Sequence, residues 1–256
     1  MEVHAHAHTE KKKFTHYLWE FLMLFLAVFC GFLAENFREH QAEHQREKQF
    51  MQSLLQDLKI DTSDFQQGIN SHLSGNKMID TLIMLLKNPE RKLYTGTIYF
   101  LAKMVPSSDY GLNSTNKTYD QMKNSGNLRL IRDRGLLDSL GSYYFFFSES
   151  ARGTPMQMQF ENRHDLLLAY NKVFDASIFQ KMINSTEAFV VKPSGNPPLA
   201  TDDPALINEL CMRLHNISFN RKVIMKHAKS QIELATLLIK KIQKEYHLTE
   251  RSPLEK

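Results

Sequence analysis

The sequence predicts an all-α protein: an N-terminal transmembrane helix continuing into a helical stalk and then a multi-helix bundle. Three observations carry this. Helix breakers are scarce, with 10 Gly and 8 Pro in 256 residues. One apolar stretch near the N-terminus is bounded by aromatic residues. Beyond it, apolar side chains recur at steps of three and four over long runs. The expected divisions are an N-terminal tail (1–16), the anchor (17–37), the stalk (38–50), the bundle (51–248) and a C-terminal tail (249–256).

The anchor reads YLWEFLMLFLAVFCGFLAENF from Tyr17. Its uninterrupted apolar part, Phe21 to Ala34, is about two-thirds of the ~20 residues a spanning helix needs. Tyr17, Leu18 and Trp19 on one side and Phe37 on the other extend it to roughly 30 Å. Cleavage as a signal peptide calls for small residues, and Phe32-Leu33-Ala34 puts Phe at the first of those positions. Bulky Phe29 before Cys30 argues against a lipoprotein signal. Glu20 falls in the first turn, where headgroup water and the helix dipole soften the cost of a carboxylate.

Ala27, Cys30, Gly31 and Ala34 fall at i, i+3, i+4 and i+7, a strip of small side chains that lets two membrane helices approach closely. The expected partners are therefore the membrane and either a second copy of the chain or another membrane protein. A lipid-facing helix that is small-residue-rich by chance remains the alternative. Lys11, Lys12 and Lys13 precede the span, whereas Arg38, Arg46 and Lys48 after it alternate with acidic residues. By the positive-inside rule the N-terminus is expected on the cytoplasmic side and the soluble part outside the cytoplasm.

Residues 35–49 are polar all round and carry Glu35/Arg38 and Glu43/Arg46 at i,i+3, the mark of a solvated helical stalk. Met51, Leu55, Leu58, Phe65 and Ile69 then form an apolar seam, with Thr62 filling its gap. Ser74-Gly75-Asn76 reads as a break, and a second helix runs to about Lys87 before Asn88-Pro89. Further helices are expected at Leu93–Met104, Asp133–Phe147, Pro155–Phe174 and Ser177–Met182. Between them Ser125-Gly126 ends a short helix with Gly in the left-handed position. The connector KPSGNPP (192–198) precedes Asp202-Asp203-Pro204, an acidic cap with Pro at the first helical position. Ile207, Leu210, Leu214, Ile217, Ile224, Ala228, Ala235, Leu238 and Ile242 then keep one face over a long closing helix.

Two blocks, LAVFCGFLAENFREHQAEHQREKQFMQSLLQDLKID from Leu26 and TYDQMKNSGNLRLIRDRGLLDSLGSYY from Thr118, resemble a family of uncharacterised single-pass membrane proteins of Bacteroidota. The resemblance implies an inner-membrane anchor and a periplasmic domain, and it brings no catalytic residues with it.

Several groups could carry chemistry. His40-Gln41-Ala42-Glu43-His44 matches the inverted zinc-protease pattern, in which two His at i,i+4 hold the metal, but it stands in a polar stalk without an obvious third ligand. His4, His6 and His8 alternate with Ala in the tail. Tyr143, Tyr144 and Phe147, within a run of five aromatic residues, offer a ligand or partner surface, core packing being the commoner use. Arg129, Arg132 and Arg134 could meet an anion, although Asp133 and Asp138 beside them offer neutralisation. No phosphate loop, nucleophile elbow or metal-binding cysteine set occurs. A net charge of +4, without a basic block, points away from nucleic acid. The expectation is a non-enzyme without a cofactor, acting through protein contacts in the cell envelope as a scaffold or accessory subunit. The alternative is a periplasmic helical domain that senses a ligand and works with a separate output partner.

Overall fold

The computed structural model describes residues 14–108, 111, 114–146, 149–183 and 189–248, with the side chains of 149–157 left aside. The protein is all-α. Seven α-helices are present among the described residues: α1 (Phe14–Leu86), α2 (Thr95–Ser107), α3 (Lys117–Asn124), α4 (Arg134–Phe146), α5 (Glu149–Val173), α6 (Ala176–Lys181) and α7 (Pro204–Glu245). Short 3-10 turns at Arg91–Tyr94 and Asn127–Leu130 precede α2 and α4, and one isolated bridge joins Ile183 to Val190. The chain forms two compact units, residues 1–49 and 50–256.

Local chemistry accounts for most helix ends. At α1 the stop comes from Asn88-Pro89, where the Asn88 side chain accepts from the Glu90 N–H at 2.8 Å. The α3 stop is Gly126, whose φ of +69° is the left-handed geometry that glycine adopts without strain. Asp133 starts α4 by accepting the Leu136 N–H at 3.1 Å, and Asp175 starts α6 through the Ser177 N–H at 2.8 Å. Pro204 opens α7, with the Asp203 carboxylate on the Ala205 N–H at 2.8 Å. The connector before it crosses the start of α2. Asn196 Oδ1 accepts the Gly96 N–H at 3.1 Å, and the Pro198 carbonyl accepts the Tyr99 hydroxyl at 3.1 Å.

The expected break at Ser74-Gly75-Asn76 does not occur, and α1 runs through it. Gly75 serves packing there instead of a turn. A methyl group on it would meet the Arg221 guanidinium and would stand 2.5 Å from Ser108 Oγ. The seam of α1 also differs by one step: Leu54 is fully buried where Leu55 was expected, and Asp61 takes the place assigned to Thr62. The resulting order 51-54-58-61-65 alternates threes and fours, which keeps one stripe of a helix against its neighbours.

Among its described residues the unit 50–256 holds two apolar cores. One joins Ile79, Leu82 and Leu86 of α1 to α2, α5 and the first half of α7. The other joins Met51, Leu58 and Phe65 of α1 to Met122 of α3, to α4 and to the second half of α7. Between them lies a buried polar layer: His72 and Asn76 on α1, with Ser218, Asn220 and Arg221 on α7. Arg221 Nη2 donates to the Val105 carbonyl at 2.7 Å and to Ser108 Oγ at 3.0 Å. Ser71 Oγ reaches the Ser108 carbonyl at 3.1 Å, and Asn76 Nδ2 reaches the Ser218 carbonyl at 3.3 Å. The C-terminal end of α2, which would otherwise bury bare carbonyls, is thereby satisfied.

Candidate functional site

Within α1 the apolar segment is long and hydrophobic enough to cross a membrane, and none of its spanning window is buried inside the protein. The large side chains from Phe14 to Phe37, Trp19 at 65% among them, are all exposed. Such a surface is far larger and more continuous than a soluble face tolerates. Phe21, Phe25 and Phe29 stack at i,i+4 with ring centroids 6.2 and 5.9 Å apart. Ala27, Cys30, Gly31 and Ala34 stand on the other side of the helix, at roughly 100° of turn per residue. All four are exposed, and a Cβ on Gly31 would meet nothing within 4 Å. Between Phe25 and Ala34 bulky and small residues thus fall on two faces, while Trp19 and Met23 share the side of the small ones. Glu20 sits near the start of the span, its Oε1 4.0 Å from His16 Nε2.

The other predicted groups fall in different places. Lys11, Lys12 and Lys13, the tail histidines His4, His6 and His8, and Phe147 lie outside the described residues. His40 and His44 stand exposed on the continuous helix, with His44 Nδ1 3.4 Å from Glu47 Oε2. No group of three His, Cys, Asp or Glu that could hold a metal forms among the described residues. The segment is part of one uninterrupted helix, on which Glu47 is buried. Arg129, Arg132 and Arg134 are exposed, while Asp133 turns to Lys241 Nζ at 2.6 Å. Lys241 first, then a protonated Glu245 carboxyl and the Leu136 N–H as further donors, hold the Asp133 carboxyl far below its usual range.

Tyr143 and Tyr144 need correction as a surface. They are 0% and 5% exposed and belong to the second core, so they present no accessible wall to a ligand or partner. The reason lies on α1, one turn apart. Asp61 Oδ2 accepts the Tyr143 hydroxyl at 2.7 Å and Asp61 Oδ1 accepts the Thr115 N–H at 2.6 Å. Asp57 Oδ2 accepts the Thr118 N–H at 3.2 Å, in the first turn of α3, where the helix dipole favours a carboxylate. Tyr119 stacks on Tyr144 at 4.4 Å, and Tyr144 meets Tyr143 edge-on at 5.0 Å. Burial raises the Asp61 pKa against the opposing pull of its hydrogen bonds to Tyr143 and Thr115. Burial likewise keeps Tyr143 and Tyr144 neutral, with the Asp61 charge adding to the effect. Asp57 and Asp61 were not singled out from the sequence. The available signal was the phase of the α1 seam, which puts an acid where an apolar residue belongs.

No family model, curated protein or solved structure matches the chain.

Proposed function

We propose that the protein is a single-pass inner-membrane protein, with its helical bundle on the periplasmic side, acting through protein contacts as a scaffold or accessory subunit of an envelope assembly. The observation that carries this reading is the fully exposed apolar span of α1, which between Phe25 and Ala34 carries a phenylalanine face and a small-residue face. Phenylalanine suits lipid, and the strip Ala27, Cys30, Gly31, Ala34 suits close approach of a second helix, here taken as a second copy of the chain.

Cys30 supplies the test, since it stands on the small-residue face while Cys211 is buried. Mild oxidation of native membranes should give a covalent dimer, abolished by Cys30→Ser and weakened by Gly31→Leu. A chain that stays uncrosslinked, runs as a monomer in detergent and copurifies with no other protein would remove the contact reading. Topology is tested separately with Ser107→Cys or Ser194→Cys in a background lacking Cys30 and Cys211, both positions being exposed. Labelling by a membrane-impermeant thiol reagent before inner-membrane lysis supports the periplasmic assignment, and labelling only after lysis reverses it.

A further inference from the structure

A helix face turned to water normally carries charge, at about a quarter to a third of its exposed positions. The outer face of α7 does so, with Lys222, Lys226, Lys229, Lys240 and Lys244 all exposed. The outer face of α1 along the same two cores does not. Between residues 52 and 74 ten side chains of α1 are exposed and none of them is charged. Eight are Gln, Asn or Ser, and the other two are Ile60 and Leu73, at 49% and 48% exposure. Loss of charge, more than gain of apolar surface, is what marks the centre of a protein contact.

The midline of this face is Gln56, Ile60, Ser63, Gln67, Asn70 and Ser74, spaced by alternating fours and threes. That is the seam of a two-helix coiled coil, with Gln56, Ser63 and Asn70 at d and Ile60, Gln67 and Ser74 at a. In the same register the half-buried Lys59 falls at g and the half-buried Asp64 at the next e. Five residues apart and of opposite sign, they stand where two parallel helices exchange ion pairs across the seam. Leu73 and Met78 occupy the corresponding g and e positions two helical turns further on from each and match as an apolar pair.

We propose that the outer face of α1 from Gln56 to Ser74 is a second contact, beyond the span, along which two copies of this chain pair in parallel and in register. A second copy is the occupant that fits, because a two-fold axis sets each residue of the seam beside its own counterpart. The lysine row of α7 would repel itself in such a pairing, whereas amides and hydroxyls both donate and accept and so satisfy their own kind. A polar seam holds two helices weakly, so this inference rests on the pairing of spans proposed above, which keeps the two α1 helices at high local concentration.

The test places single cysteines in the full-length chain lacking Cys30 and Cys211 and oxidises its native membranes mildly. Gln56→Cys, Ser63→Cys and Asn70→Cys should each give a disulfide-linked dimer, and Ser230→Cys, exposed on α7, should give several-fold less. Lys59→Glu should lower the Ser63→Cys yield several-fold, and adding Asp64→Lys should restore it, a rescue that a purely local role of either side chain does not produce. A Cys30 dimer in the wild type with no crosslink at the three α1 positions overturns this contact and leaves the pairing of spans standing. No dimer through Cys30 or through α1 removes both. Equal yield at Ser230→Cys, or crosslinking of α1 to a different protein in place of the dimer, also overturns it.

Discussion

The guanidinium of Arg221 on α7 occupies the space that a side chain at Gly75 on α1 would need. Pinned to the Val105 carbonyl and Ser108 Oγ, it has little room to withdraw. Gly75→Ala should therefore lose up to about 2 kcal/mol in urea unfolding, overpacking of roughly 1–3 kcal/mol being set against a helix-propensity gain of about 1. A more stable variant would mean that the guanidinium yields.

Tyr143→Phe removes the 2.7 Å hydroxyl from Asp61 without changing the ring. The carboxylate then stays buried with one donor fewer, at a cost of about 1–3 kcal/mol. Because the lost bond favoured the charged form, the Asp61 pKa should rise further. The deficit should accordingly be larger at pH 8 than at pH 5, measured as denaturation midpoints at both.

These polar contacts were the least legible part of the sequence, and the reason is physical. Apolar periodicity marks Ile217, Ile224 and Ala228 on α7 but passes over Arg221, which fills the intervening seam position and is 1% exposed. Asp61 does the same on α1, paired with a tyrosine 82 positions away. No local pattern encodes such a pairing. Helix ends governed by neighbours in the chain, at Gly126 and Asp203-Pro204, were legible to the residue. Ser74-Gly75-Asn76 misled because glycine marks a turn and a close approach with the same letter.

Asp133 predicts a pH dependence of opposite sign to that of Asp61. Its pKa is depressed, chiefly by Lys241, so its contribution is present above the unfolded value of about 4 and is lost as pH falls through the folded one. Asp133→Asn should be less stable than wild type at pH 7, with the gap closing below about pH 4. Paired thermal melts at pH 7 and pH 3 would check this, and a gap that stays constant would assign the loss to the α4 cap instead.

Asp203→Ala removes the acceptor for the Ala205 N–H at the start of α7. The expected cost is about 1 kcal/mol. Amides of the first α7 turn should exchange faster, while those near Leu238 in the second core should keep their protection. Uniform loss of protection would mean that α7 frays as a single piece.

The polar layer that separates the two apolar cores also bears on how this sequence can drift. Among the described residues α1 and α7 line both cores, whereas α2, α5 and α6 serve one and α3 and α4 the other. A change of side-chain volume in α2 can be answered by α5 or α6 without disturbing the tyrosines of α4. Relatives of this chain should therefore vary the two halves at independent rates, and the positions that resist exchange should gather on the two long helices, at Gly75 and Arg221 before the hydrophobic residues around them.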